Sequence, residues 1–592
     1  MEKSDYIIEN IYQGGYSSLK PSSQGNIFGG YGVGAGDIGM STDARTANIL
    51  KDISDNLSAG AKTIELTQVF PEVFDSVPRD QLKEVNRLSK LTGVDMTFHA
   101  PIVEPSGMTK EGFTESGRLN AERQMNMAIE RSHDLNPDGG MPVTFHSSAL
   151  LPGMLKQKIG DNIEKTPEEA YIINTESGSI NKIPLKPRSF PGQAKEPNIE
   201  NEIKDENEQA WTKNISQINY YAELGADSLD RSGYVKYLSD LNNGQTAPGK
   251  IEERAKSEFN RGISFLQDSY TNLKQLFEIA YRKGSDADKK ILNSFYSEIS
   301  DNVEKIEQNP KSFKNAELMR EIVQKGTNTL GNLTPPKLIE NLNEFAKKRT
   351  AETFARVAFN AYDKFGDKAP IVSIENPPIG GAFSTGEELR EIVEKSREKF
   401  VEIAVKEGVS KSFAKEQAEK LIGATWDVGH INMMRKYGYE DKDIIKESEK
   451  IAPFVKHVHL SDNFGLEHTE LPMGMGNVPI KKIMEKLGKE GYKGKKIVEA
   501  LNWWQHFSPG GKQNPPLKVT LEAMGSSIYA EGAGPYWSQS LGLQQNYSAG
   551  YGNMLPQTNY EMFGAGFAQL PTELGGTRQG AGGSRMSGRP ME

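Results

Sequence analysis

"ATWDVGHINMM", residues 424–434, decides how this chain folds. A mostly apolar run ends on a carboxylate, Asp427, and an imidazole, His430, follows three positions later. Taken alone, the pair reads as a helix start, with Asp427 as the cap and His430 in the first turn. A cap gives no reason for the same event to recur along the chain, yet it does. Downstream, "VKHVHLSDN" (455–463) ends its apolar run at His459, and "KKIVEALNWW" (495–504) ends on Glu499. Upstream, "VDMTFHAP" (94–101), "MPVTFHSS" (141–148) and "APIVSIENPP" (369–378) end on His99, His146 and Glu375.

These runs are separated by helix-like sequence. "PRDQLKEVNRLSKLTG" (78–93) follows "TIELTQVF" (63–70), and "NAERQMNMAIERSHDL" (120–135) follows the His99 run. "STGEELREIV" (384–393) offers two overlapping capping boxes, Ser384 with Glu387 and Thr385 with Glu388. Counting a first strand near "AGDIGMS" (35–41), the chain holds eight β/α units. Continuous apolar strands alternating with helices predict a parallel sheet covered by helices, and eight units predict a closed (β/α)8 TIM barrel.

The barrel is expected in two halves, 37–148 and 351–524, after a flexible N-terminal segment, 1–36. Between the halves, 149–350 is read as a large, mainly helical insertion between units four and five. It opens with a hairpin, "AYIINTESGSINKIPLKP" (170–187), and continues through a charged linker, "EPNIENEIKDENEQ" (196–209). Phe259, Ile263, Leu266, Tyr270, Leu273 and Phe277 then fall at alternating steps of four and three, one apolar helix face that needs a core to bury it. Residues 525–592 hold 14 glycines and no hydrophobic periodicity, so a disordered C-terminal tail is expected.

Bulk composition narrows the function. The chain has 592 residues and a formal net charge of −9, which gives no global attraction to nucleic acid or acidic membranes. There is no cysteine, which excludes disulfides and thiolate metal sites. No apolar stretch approaches membrane-spanning length and the first residues lack a signal-peptide core, so a cytoplasmic protein without a membrane partner is expected.

In a β/α barrel, chemistry collects at the C-terminal ends of the strands. There the sequence places His99, His146, Glu375, Asp427, His430, His459 and Glu499, with His468 and Glu470 in "EHTELPMGMG" (467–476) after strand seven. Five of the eight histidines are in this group, where random placement would scatter them. Imidazoles with carboxylates and no cysteine are a donor set for Zn²⁺ or Mn²⁺. His133, beside charges on a helix, is assigned a solvated surface role. His457 shares the strand face of His459 one layer deeper, as core or support. His506 lies in a Pro/Gly-containing loop where nothing demands a role. "GAGDIG" (34–39) fits G-x-G-x-x-G formally but lacks the acidic second-strand partner, and is read as an approach to strand one.

The ordered set of motifs resembles the superfamily joining endonuclease IV to the xylose isomerase-like sugar isomerases and epimerases. The motifs are H-A-P, a histidine closing strand four, E-N-x-P, D-x-G-H, H-x-H-L-S-D-N and a G-x-G loop. The resemblance covers about 37–148 and 355–505. By resemblance to endonuclease IV, His99 and His146 hold one metal, Glu375 bridges to a second completed by Asp427, His459 and Glu499, and His430, His468 and Glu470 hold a third. That implies up to three ions, zinc first and manganese as the substitute, cleaving DNA at abasic sites. The family's Asp-x-His after strand seven reads His468-Thr469-Glu470 here, and "HSS" replaces H-P-G. The isomerase branch implies instead one ion on Glu375, Asp427, His459 and Glu499, with Glu375 and Glu499 as the catalytic acid–base pair on a sugar or sugar phosphate. A metal-binding module without turnover is a third possibility. Beside the mouth, the insertion is expected to serve as a lid or substrate-selecting wall, with its helices open to a protein partner.

Overall fold

The computed structural model describes residues 38–58, 61–159, 163–165, 168–185, 198–233, 249–308, 313–492 and 494–500. The expected flexible segment, the Gly-rich tail and the His506 loop lie outside these, as do residues 34–37 of "GAGDIG", whose Ile38 and Gly39 open the first strand. The described residues form two compact units, one within 168–342 and one from the described residues on either side of it.

The larger unit is built on eight parallel strands: β1 (Ile38–Ser41), β2 (Thr63–Thr67), β3 (Asp95–His99), β4 (Pro142–His146), β5 (Ile371–Glu375), β6 (Ile422–Asp427), β7 (Val455–Leu460) and β8 (Lys496–Val498). They close in the order β1-β8-β7-β6-β5-β4-β3-β2, a complete (β/α)8 barrel. Strands β2 and β6 are buried along their whole length, as strands with one face in the barrel and the other under helices must be. Between Glu375 and Asp427 run two helices, Gly386–Lys406 and Lys411–Leu421; the first starts on a Thr385–Glu388 capping box, one of the two the sequence offered. No helix among the described residues is long and apolar enough to cross a membrane.

Register sets the site. Glu375 pairs with His146 across β5 and β4, Asp427 with His459 across β6 and β7, and Thr67 with His99 across β2 and β3. Strand ends that align this way turn a sequence pattern into one ring of side chains. One layer below lie Glu65, Thr97, Thr144, Ser373, Thr425 and His457, all buried. Thr425 bonds to both Thr144 (3.0 Å) and Ser373 (2.7 Å), so this layer is polar where most such barrels carry branched aliphatics.

The loops after β4 and β5 are zipped together at the mouth. Gly153 N donates to Gly380 O at 2.8 Å and Ala382 N to Leu151 O at 2.9 Å. A Cβ on Gly153 would lie 2.3 Å from Gly381 O, so only glycine permits this approach. The serines replacing the family's H-P-G have their own work: Ser148 Oγ, Ala149 N and Leu150 N all donate to Glu104 Oε2, at 2.8, 2.8 and 2.9 Å, tying the β4 loop to the β3 loop.

The smaller unit is mainly helical. Its hairpin forms as expected, Glu169–Asn174 against Ile180–Pro184, and a third strand, Ile339–Asn341, pairs with the first. The unit is narrower than the 149–350 excursion, since the helix Leu342–Phe365 runs almost wholly in the barrel unit. Of the expected linker 196–209, residues 199–209 are instead the start of a helix, Ile199–Ser232, and 196–197 lie outside the described residues. Asn198 caps it, Glu200 and Glu202 favour its N-terminus, and Asn207 and Trp211 are buried one turn apart. The stripe from Phe259 to Leu273 is buried as its spacing predicts, with Phe277 packed against the same core.

Candidate metal centre

Glu375 stands at the middle of the site. Its Oε2 lies 3.1 Å from His99 Nε2 and 3.3 Å from His146 Nε2, while its Oε1 lies 2.7 Å from His459 Nδ1. His459 Nδ1 is also 2.9 Å from Glu499 Oε2, a contact not aligned for a hydrogen bond. Four compact donor groups occur among the described residues: His99–His146–Glu375, His99–His459–Glu499, Glu375–Asp427–His459–Glu499, and Glu65–His457–His459, with donor atoms within 4.8 Å of one another in each.

Asp427 satisfies both readings of its sequence. Its Oδ1 accepts from His430 N at 2.7 Å as the cap of the short helix Val428–Asn432, and its carboxylate still belongs to the buried donor group. Cap and candidate ligand are therefore not alternatives. Asn376 locks the ends of β5 and β6 together, accepting from Asp427 N (2.9 Å) and donating to Asp427 O (3.0 Å). Gly429 is fixed by space, since a Cβ there would lie 2.1 Å from Ser461 Oγ. These contacts explain E-N-x-P and D-x-G-H beyond their donors.

His430, His468 and Glu470 form a chain more than a cluster. His430 Nδ1 lies 2.7 Å from the Asn376 carbonyl, which can only accept, so in the neutral ring Nε2 carries the free lone pair. That atom is 2.8 Å from His468 Nε2, which is 3.4 Å from Glu470 Oε1. Burial lowers the His430 pKa to about 4, and burial with the neighbouring His430 also pushes His468 down, so both rings are neutral at neutral pH. The loop that carries them is pinned by Asp462, which accepts from Asn463 N, Gly474 N and Val478 N at 2.9, 2.8 and 3.1 Å. Glu470 itself sits at φ 48°, a conformation that non-glycine residues seldom adopt. Sequence reading placed these three with the other six; they adjoin the ring through His430, whose imidazole is 6.1 Å from that of His146.

The charges frustrate one another. Burial opposes ionisation of Glu375, yet His459 and the hydrogen bonds from His146, His459 and His99 hold its carboxyl well below the ordinary range. Burial and the Glu499 and Glu375 charges drive Asp427 well above it. Burial works against His459 and His99 too, but the surrounding carboxylates raise both, His99 to about 9. Three carboxylates without solvent around one imidazole call for cationic charge, which protons or a divalent ion can supply. The donor chemistry, one imidazole with Glu375, Asp427 and Glu499, fits such an ion, and Glu499 Oε2 has no hydrogen-bond partner of its own.

Sequence reading missed Glu65. Its carboxylate is fully buried on β2, accepts from Thr97 Oγ1 at 2.9 Å, and lies 3.0 Å from His457 Nε2 and 3.0 Å from His459 Nε2. His133, assigned to the surface, is half-buried and stacks on Phe365 with ring centroids 3.9 Å apart. Stacking recovers for the ring what a helix face beside charges did not suggest.

A closed (β/α)8 barrel with a buried imidazole–carboxylate mouth defines the class of protein. Residues 410–523 match the family described as xylose isomerase-like TIM barrel, a stretch spanning β6 to β8. That stretch of the chain is similar to the family. An uncharacterized protein of Methanocaldococcus jannaschii is 28% identical over 114 residues, which make up 19% of this chain and 36% of that protein. The chain thus spans about a third of that relative's length. The crystal structure of a D-tagatose 3-epimerase-like protein aligns over 78% of this chain and 91% of its own, at 14% identity and a TM-score of 0.31. A likeness that distant says nothing about the reaction.

Proposed function

We propose that the chain is a metal-dependent phosphodiesterase of the endonuclease IV type, with abasic-site DNA as substrate. The observation that carries this reading is the double use of Glu375, one oxygen facing His99 and His146 and the other facing His459. A carboxylate set between two imidazole groups is suited to bridge two ions, and a one-ion isomerase has no need of the first group. Ions held there, zinc or manganese, would supply Lewis-acid polarisation of a phosphoryl oxygen. The protein's part is to hold them: His99 and His146 on one side, Asp427, His459 and Glu499 on the other. His430, His468 and Glu470 border the same space and would serve a third ion. The loops 101–108 and 463–476 carry no Lys or Arg, so DNA would be bound with a shallow salt dependence.

A second reading is favoured by the self-contained group Glu375–Asp427–His459–Glu499. One ion there, with Glu375 and Glu499 moving a proton, would suit isomerisation or epimerisation of a sugar or sugar phosphate. The test is a direct comparison on the full chain with Zn²⁺ or Mn²⁺. Cleavage of an abasic-site duplex, abolished by chelator and by Glu375→Gln, supports the first reading. Intact duplex together with metal-dependent incorporation of solvent deuterium into an aldose or ketose replaces it with the second.

A further inference from the structure

The two imidazoles that share one oxygen of Glu375 are not held equally by the barrel. His99 is paired with Thr67 on β2, and its carbonyl accepts from Gln68 N at 3.0 Å. His146 is paired with Glu375 on β5, but towards β3 the ladder stops early. It pairs Phe98 with Val143 and His99 with Thr144, and its last bond, Ala100 N to Thr144 O at 3.0 Å, falls short of His146. Strand pairing therefore leaves the separation of His146 from His99 unset on that side. Glu104 closes the gap. Its Oε2 accepts from Ser148 Oγ, Ala149 N and Leu150 N at 2.8, 2.8 and 2.9 Å, and its Oε1 accepts from Ser106 N and Ser106 Oγ at 3.2 and 2.5 Å.

The geometry points to Glu104 as a positioning residue of the His99–His146 group, a clamp between the β3 and β4 loops that sets the spacing of the two imidazoles. Those rings stand edge to face with centroids 5.4 Å apart, and their Nε2 atoms lie 3.1 and 3.3 Å from the same Glu375 oxygen. The clamp is itself anchored. Thr353 Oγ1 donates to the Pro105 carbonyl at 2.8 Å, and the buried Arg118 donates to Thr353 Oγ1 at 3.3 Å. The residue beside Glu104 is thereby fixed to two barrel helices, Leu342–Phe365 and Glu115–Leu135. On the other side, Ser147 N donates to the Glu375 carbonyl at 2.9 Å, so the chain leaving His146 passes from Glu375 directly to Glu104. Ligand groups must be held within about 0.5 Å of their working geometry, and side chains around them supply that constraint. Glu104 follows His99 in one loop and its partners follow His146 in the next. Loss of the clamp thus acts on this pair, while Asp427, His459 and Glu499 are carried by strands it does not touch.

This inference rests on the reading of the mouth as a site for more than one ion, and the experiment separates the two. Zn²⁺ is titrated against a chelating indicator into full-length wild type, His146→Ala, Glu104→Ala and Glu104→Gln, with stoichiometry, the affinity of each equivalent and Tm recorded. His146→Ala identifies the equivalent that depends on this group. Glu104→Ala should weaken that equivalent about 10-fold, the lower end of what outer supports of metal-bound histidine contribute, and leave the equivalent that survives His146→Ala at its wild-type affinity. Glu104→Gln keeps one oxygen for Ser148, Ala149 and Leu150 and can turn its amino group to Ser106 Oγ, so it should recover most of the loss. A Glu104→Ala protein with lower Tm but every equivalent at wild-type affinity overturns the inference, since Glu104 would then serve the fold alone. Equal weakening of all equivalents overturns it too. Should Glu104→Ala not fold, Ser148→Ala removes one of the three donors and takes its place: a smaller weakening of the same equivalent supports the clamp, and unchanged affinity overturns it. Wild type that takes up no zinc, or a single equivalent indifferent to His146→Ala, overturns the multi-ion reading and this inference together.

Discussion

Replacing Asp427 by Asn should reverse the sign of its effect on stability when metal is added. Without metal, burial and the neighbouring Glu499 and Glu375 charges raise the Asp427 pKa well above the ordinary range, outweighing His459 and the His430 N–H, which lower it. Asn keeps an oxygen for the His430 N–H and Ser461 Oγ contacts, at 2.7 and 3.0 Å, while removing a group that must either take up a proton or carry a repelled charge there. Relief of this kind at functional sites is worth about 0.5–2 kcal/mol, so the variant in chelator should melt at or above wild type. With metal the order changes. Ion at 100 times its Kd stabilises wild type by about 2.7 kcal/mol; a variant weakened 100-fold retains only ~0.4 kcal/mol at that concentration. At roughly 2–4 °C per kcal/mol, the metal-induced rise in Tm should shrink from about 5–10 °C to about 1 °C. Calorimetry of both proteins, with chelator and with zinc, reads this crossing directly. A variant that is destabilised in chelator and keeps the full metal-induced rise would reduce Asp427 to a helix cap.

Other outcomes follow from the same geometry. His99 has its pKa raised to about 9, so its contribution to the metal-free protein is complete below its ordinary value near 6.5 and fades as pH rises through 9; chelated protein should lose Tm over that interval. Because that proton must leave for an ion to bind Nε2, zinc affinity measured by competition should increase over the same range. His468→Ala should leave the tightest ion bound, as His468 belongs to none of the compact donor groups, and a loss of all zinc on elemental analysis would contradict this. His133→Ala removes the ring stacked on Phe365 and should cost about 0.5–1.5 kcal/mol in chemical denaturation without changing zinc content.

The strand-end donors were legible because each is a local event, a charged or imidazole group closing an apolar run. His99, His146, Glu375, Asp427 and His459 needed only strand register to meet. Glu65 was hidden by its position inside "TIELT", two residues before the strand ends, and its partner His457 lies on a strand that only barrel closure brings near. The signal available was a carboxylate within a run buried on both faces, which requires a partner wherever it is found. The helix from Ile199 was misread as linker because its first turns are dense in Glu and Asp, and the apolar Trp211 lies just past the charged stretch. The dual role of Asp427 was missed by treating cap and ligand as rivals, although a carboxylate has oxygens enough for both.

The pairing of Glu169–Asn174 with Ile339–Asn341 bears on how the barrel can form at all. Strand β4 must find β5 across roughly 220 residues, and each doubling of such a loop adds about 0.6 kcal/mol to the entropy of closing it. The chain enters and leaves the inserted unit through adjacent strands, so once that unit has folded, its two ends are already side by side. The effective loop then shrinks about four- to fivefold, a saving of about 1 kcal/mol at the step that joins the two halves. An insertion tied off at its neck in this way is kinetically short however long it is in sequence. The order of events this favours is inserted unit first, barrel closure second.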